Sequence, residues 1–247
     1  MICDSHCHLK HGDAEGTEYS ADAIVTMMDA VGIDRSVVFA MSTTTRRSIE
    51  MAEDAVKQFP DRLIPYVYAL PSYQRAVCNE LEEAIGKRGF RGIKIHLGEC
   101  TVASYVIDPV MELAGRHGVP CLVDFLGRYG AAESLATRFP QTRLIVCHLG
   151  QYLCTNDQVV DRFIGLAEKC SNVYLDISGV VMLHKIQDAV SRVGSKRVIW
   201  GTDGPHRTPD IINFARLALD SVRMLNLGKG AESDVLGGSI MQLIGRQ

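Results

Sequence analysis

Apolar positions along this chain fall into two alternating patterns. Residues 35–41, 62–70, 92–97, 119–125, 142–149, 173–178 and 197–203 are short, dense runs rich in Val, Ile and Leu, of strand length. Between them apolar residues recur every three or four positions, as on one face of a helix. Ile24, Met27, Met28 and Val31 set the first such pattern, which starts at Ser20 and ends at Gly32. Further helices are expected over 43–59, 73–87, 104–117, 131–139, 157–169 and 182–193. Thr208-Pro209-Asp210 reads as another helix start, with Thr208 as the capping hydroxyl and Pro209 at the first helical position. A last helix over 233–243 is weakened by Gly237-Gly238, and Pro65 weakens the third strand because it cannot donate to a ladder.

The opening Met1-Ile2-Cys3-Asp4-Ser5-His6-Cys7-His8-Leu9-Lys10 adds a first strand. Strict alternation puts Asp4, His6 and His8 on one face and Cys3, Ser5 and Cys7 on the other. Strands alternating with helices imply parallel βαβ units. A count of about eight points to a (β/α)8 TIM barrel, read as a single domain over 1–247. A doubly wound open sheet would want a glycine-rich turn after the first strand, and His-x-His stands there instead.

Composition narrows the class of partner. The chain is 47% hydrophobic and 22% charged, enough to bury a sizeable core, and its net charge of −3 leaves no basic patch for nucleic acid or an anionic membrane. A small-molecule substrate is expected. No apolar run approaches the roughly 20 residues of a membrane span, and the first residues lack a signal-peptide layout, so a cytoplasmic location is expected. Eight cysteines without a CxxC pair read as reduced, mostly buried thiols. No self-evident apolar stripe specifies an oligomer; a homodimer stays open.

Polar residues interrupt the apolar runs where a barrel keeps its chemistry, at the C-terminal strand ends. They are His6 and His8 on the first strand, Lys94 and His96 on the fourth, Asp124 on the fifth, His148 on the sixth, Asp176 and Ser178 on the seventh and Asp203 on the eighth. Two histidines one strand step apart can grip a borderline-soft cation such as zinc, given partners from elsewhere in the fold.

Asp4-Ser5-His6-Cys7-His8, Gly92-Ile93-Lys94-Ile95-His96, Cys147-His148-Leu149-Gly150, Val173 to Ser178, and Gly201-Thr202-Asp203-Gly204-Pro205-His206 together resemble the amidohydrolase-related (amidohydrolase 2) family. Val235-Leu236-Gly237-Gly238-Ser239 is similar to the family's closing Leu-Gly-Gly-Asn segment, with Ser239 in place of Asn. The resemblance implies a divalent metal, usually zinc, held by His6, His8, a fifth-strand histidine and Asp203. Here Asp124 stands in the fifth-strand position. A carboxylate can serve as a ligand. Alternatively His148 or His96 completes the shell, or metal is held weakly or not at all.

The same resemblance gives Asp203 a second role as proton acceptor and His148 a catalytic or substrate-polarising one. Lys94 and His96 share a face and are candidates for substrate binding; an ion pair of Lys94 with Asp124 or Asp203 is the structural alternative. Arg128 and His206, in loops after the fifth and eighth strands, are candidates to clamp an anionic group. Asp176 is expected to bond within the barrel, and His11, His117 and His184 to lie at the surface or in loops. The leading expectation is a metal-dependent hydrolase that opens an amide or lactone bond of a small carboxylate-bearing substrate with metal-activated water. A non-oxidative decarboxylase of the same family is the alternative, and a metal-free barrel that binds a ligand without turnover is a third reading.

Overall fold

The structure, a computed structural model, describes residues 1–73, 76–101 and 103–245. Strands and helices alternate as β1 (Cys3–Lys10), α1 (Ala21–Val31), β2 (Arg35–Ala40), α2 (Thr45–Gln58), β3 (Leu63–Pro65), β4 (Val67–Tyr68), α3 (Ala76–Lys87), β5 (Ile93–His96), α4 (Ser104–His117), β6 (Cys121–Asp124) and α5 (Tyr129–Arg138). They continue as β7 (Leu144–Val146), α6 (Asp157–Lys169), β8 (Val173–Asp176), α7 (Leu183–Val193), β9 (Val198–Ile199) and α8 (Ile211–Arg223), and end in α9 (Lys229–Ser233) and α10 (Ser239–Leu243). The expected helix over 73–87 starts at Ala76, and residues 74 and 75 lie outside the described residues.

All strand pairs are parallel and join sequence neighbours. β3 and β4 are two halves of one barrel strand. Pro65 has no N–H to give, and the chain changes partner beside it: Tyr66 N donates to Val38 O at 3.0 Å on one side, and Val67 N to Gly92 O at 3.0 Å on the other. Beyond β9 the chain rejoins β1 through Ser5 N to Trp200 O at 3.2 Å, Asp203 N to His6 O at 2.8 Å and His8 N to Gly204 O at 2.6 Å. The result is a (β/α)8 barrel.

Alternation along the strands builds two apolar layers. Val38, Ala40, Ile93, Ile95, Cys121, Val123, Leu144 and Val146 face outward into the helices. Val37, Phe39, Ile64, Tyr66, Tyr68, Leu122, Ile145 and Ile199 fill the barrel, which Ile240, Leu243 and Ile244 close at its N-terminal end. The closing segment runs against the first residues of the chain. A Cβ on Gly237 would stand 2.6 Å from Met1 O, so this approach requires glycine. The expected weakness at Gly237-Gly238 is seen as a single π turn over Asp234–Gly238, between α9 and α10.

Two expectations are corrected. Strict alternation fails in β1: the pairing register with β2 shifts between Asp4 and Cys7, so Cys3 lies inside the barrel and Cys7 in the outer layer. A bulge adds a residue and inverts the faces beyond it. Helix α8 is capped by Asp210, whose carboxylate accepts from Ile212 N at 3.1 Å and Asn213 N at 2.9 Å, and not by Thr208. Aspartate outranks threonine as a cap, and Pro209 is left ahead of the helix. Among the described residues no helix is long and apolar enough to cross a membrane. The eight cysteines are free thiols.

Candidate metal centre

At the C-terminal rim, His6, His8 and Asp203 converge. His6 Nε2 and His8 Nε2 each lie 3.0 Å from Asp203 Oδ1. These three donor atoms form one of two groups among the described residues with the spacing to hold an ion; His6, Cys147 and His148 form the other. Both histidines project from β1, and Asp203 follows β9, which the closing hydrogen bonds lay alongside. Asp203 has φ 58°, in the left-handed region that aspartate enters more readily than most non-glycine residues.

Buried polar groups behind the triad orient it. His6 Nδ1 faces Asp176 Oδ2 at 3.3 Å and Ser178 Oγ at 3.1 Å. Ser178 Oγ donates to Asp176 Oδ2 at 2.6 Å. Burial would raise the Asp176 carboxyl, but contact with His6, the charge of His148 and the Ser178 hydroxyl outweigh it and hold the group below its ordinary range. An ionised Asp176 only accepts, so Nδ1 of His6 carries a proton and Nε2 is turned to the centre. Asp4 supports the same region by accepting from His6 N at 3.0 Å, Thr202 N at 2.9 Å and Thr202 Oγ1 at 2.7 Å. Burial pushes its carboxyl up to about 6 against these bonds.

A divalent cation fits this set. Burial pulls His8 well below the ordinary histidine range, more than its contact with Asp203 restores, so it offers a neutral nitrogen. Burial alone would raise Asp203, yet the charges of His6 and His148 and the close His6 and His8 rings keep it well below the carboxylate range. Two imidazoles and a carboxylate with a position to spare are the donors of catalytic zinc sites.

Lys94 bears on the same nitrogen. Its buried ammonium lies 3.1 Å from His6 Nε2 and 3.3 Å from Cys147 Sγ. Burial works against this charge, and the Cys147 sulfur and the Asp124 and Asp203 carboxylates more than offset it. One lone pair on His6 serves either Lys94 or a metal ion.

Asp124 lies apart from the triad. Its Oδ2 is 3.4 Å from His96 Nε2 and 3.5 Å from His148 Nε2, and its Oδ1 accepts from Leu126 N at 2.9 Å. Burial would raise it, but the adjacent His148 and His96 rings and the charges of His148 and Lys94 hold it far below the carboxylate range. His148 stacks on His6 at 5.2 Å between centroids, and its Nδ1 meets Ser178 O at 2.8 Å. Burial disfavours its charged form, and Asp203, Asp124 and Asp176 together overcome this and push it up to about 9. His148 and Leu149 have φ 59° and 49°. Left-handed non-glycine residues in succession store strain of the kind concentrated at functional sites.

The remaining candidates are more peripheral. Arg128 is exposed and donates to Leu97 O at 3.2 Å. His206 packs against Phe214 at 4.5 Å and His11 at 4.6 Å, with its Nε2 buried and unpartnered. His117 pairs with Glu82, and the exposed His184 with Asp157. His11 lies in the loop after β1, as expected, and is buried there. It is 7% exposed, stacks on His8 at 4.2 Å and donates from Nε2 to Pro205 O at 2.7 Å, so it ties β1 to the loop after β9. A third histidine three residues beyond His8 was the available signal. Cys147 and Ser178 also contact the centre, and their neighbours could not be read from a strand pattern.

A parallel barrel with metal-type donors and paired carboxylates gathered on its C-terminal rim defines a class of barrels that place their chemistry there. A family model described as Amidohydrolase matches residues 3–240, and the chain belongs to that family. Its fold is similar to a probable 2-pyrone-4,6-dicarboxylic acid hydrolase from Acinetobacter baumannii with citric acid bound, at TM-score 0.76, 17% identity and 99% coverage of both chains. It is also similar to 5-carboxyvanillate decarboxylase from Sphingomonas paucimobilis, at TM-score 0.74, 14% identity and 98% coverage of both chains. A third likeness is to an amidohydrolase from Burkholderia multivorans with bound zinc, at TM-score 0.74, 17% identity and 99% coverage of both chains. No curated protein sequence matches the chain.

Proposed function

We propose that this protein is a metal-dependent hydrolase that opens an amide or lactone bond of a small, carboxylate-bearing molecule. The observation that carries the reading is the convergence of His6 Nε2 and His8 Nε2 on Asp203 Oδ1, each at 3.0 Å. His6, His8 and Asp203 would hold the ion, zinc by preference, with Asp124 outside the set. A divalent cation supplies Lewis acidity there and makes water a nucleophile near neutral pH.

The chain's own groups supply the rest. Asp203, kept ionised, accepts the proton of the attacking water and passes it to the leaving atom. His148, kept cationic by three carboxylates, stabilises the negative charge that grows on the carbonyl oxygen. Asp124 fixes the His148 and His96 rings. Lys94, released when His6 turns its lone pair to an ion, is free to meet a substrate carboxylate, with Arg128 as the outer cation.

A decarboxylase is the second reading, favoured by the same cationic His148, which can deliver a proton to carbon. Lactones, amides and aromatic carboxylates incubated with zinc-loaded protein in 18O-water separate the two. Label in a ring-opened or cleaved product without carbon dioxide supports hydrolysis; carbon dioxide with no label in the product replaces it by decarboxylation.

A further inference from the structure

At the other end of the barrel, a cavity of about 160 Å³ lies between the starts of β2 and β3, the turn before β5 and the closing helix α10. Its lining is largely apolar, with Val56, Leu63, Met241 and Ile244 among the contributors, and Arg35, Arg88 and Arg91 line it as well. Arg88 is committed: it forks onto Glu53 with contacts of 2.9 and 2.5 Å. Arg35 and Arg91 are half-buried, and neither guanidinium has a hydrogen-bond or ion-pair partner among the described residues.

We propose that this cavity binds a small organic anion, a carboxylate on an apolar body about the size of one aromatic ring. A half-buried guanidinium with no protein partner is open to an anion, and its planar donor fork matches a carboxylate. The apolar lining calls for a hydrocarbon body, which inorganic phosphate lacks. The volume sets the size, since a cavity of roughly 150 Å³ accepts benzene. Arg35 and Leu63 stand at the N-terminal ends of their strands, so a ligand here lies away from the histidine rim. The inference is independent of the metal reading. A ligand that binds the folded state alone raises the thermal midpoint.

Benzoate is the probe, with benzyl alcohol as its uncharged counterpart. Binding to the whole chain is followed by calorimetry and by the methyl NMR signals of Ile244 and Met241. Benzoate is expected to saturate both the wild type and a His6→Ala/His8→Ala variant, and to shift those methyl signals. Benzyl alcohol should bind at least about tenfold more weakly, the value of a charge-assisted hydrogen bond. An Arg35→Gln/Arg91→Gln variant should lose about the same factor for benzoate. Equal affinity for the two probes overturns the proposal, as does failure to saturate by about 10 mM. Binding abolished in the histidine variant but kept in the arginine variant overturns it too. If the arginine variant does not fold, the comparison of the two probes on the wild type decides alone.

Discussion

Replacing Asp124 by Asn removes the carboxylate nearest His148 Nε2, 3.5 Å away. Three carboxylates outweigh burial to move His148 from 6.5 to about 9. That displacement corresponds to about 3 kcal/mol in favour of the imidazolium. Asp124 is one of the three, so Asp124→Asn should cost on the order of 1 kcal/mol and lower His148 by somewhat under one pH unit. The folded-state value lies above the unfolded one. The stabilisation from His148 is therefore complete below about pH 6.5 and is lost as pH rises through about 9. Asp124's own depressed pKa acts only in the acid range, and the buried thiols, whose raised pKa values also cost stability toward alkaline pH, are common to both proteins, so between pH 6.5 and 9 the difference between them reports His148. Urea unfolding of chelator-stripped protein at about pH 6 and 9.5 should show the wild type losing about 1 kcal/mol more than Asp124→Asn. Long-range 15N NMR of the His148 ring gives the titration directly. A wild-type His148 that titrates at or below 6.5, or an unchanged midpoint in Asp124→Asn, refutes this electrostatic picture.

Other outcomes follow from the same contacts. Asp176→Asn leaves Nδ1 of His6 without its anionic partner and should weaken zinc binding about 10- to 100-fold in a competition assay with a chromophoric chelator; undiminished affinity removes Asp176 from the site. His11→Ala removes the ring stacked on His8 and the bond to Pro205 O, and should weaken zinc binding in the same assay. His11→Gln, which keeps an N–H donor, should recover part of the loss, and the metal-free melting temperature of both variants should move less than the zinc affinity does. Gly201→Ala puts a Cβ 2.6 Å from His6 Cβ and 3.0 Å from His6 N. With backbone on one side it should lose about 2 kcal/mol or more by urea unfolding.

Strand order, helix order and the rim positions of His6, His8, His148 and Asp203 were legible because a barrel converts chain order into angular order and strand parity into inside or outside. Angular neighbours across the barrel were less so. That Asp124 bridges His96 and His148 depends on side-chain reach across two strand gaps, which no spacing in sequence encodes. The bulge in β1 was hidden as well, because Asp4 to His8 has the same polarity pattern with or without it. Thr208 misled as a cap because Asp210, a better acceptor, follows two residues later. The loop position of His11 was legible, but its burial was not, since loop histidines lack periodicity and only the return of the chain after β9 covers it.

Whether His6, His8 and Asp203 hold a metal ion is tested most directly by elemental analysis of wild-type protein purified without chelator, beside His6→Ala/His8→Ala and Asp203→Asn. The metal reading predicts about one equivalent of a divalent transition metal, chiefly zinc, in the wild type and a large loss in both variants. A wild type without stoichiometric metal that also fails to take up added zinc, or variants that retain it in full, contradicts the claim.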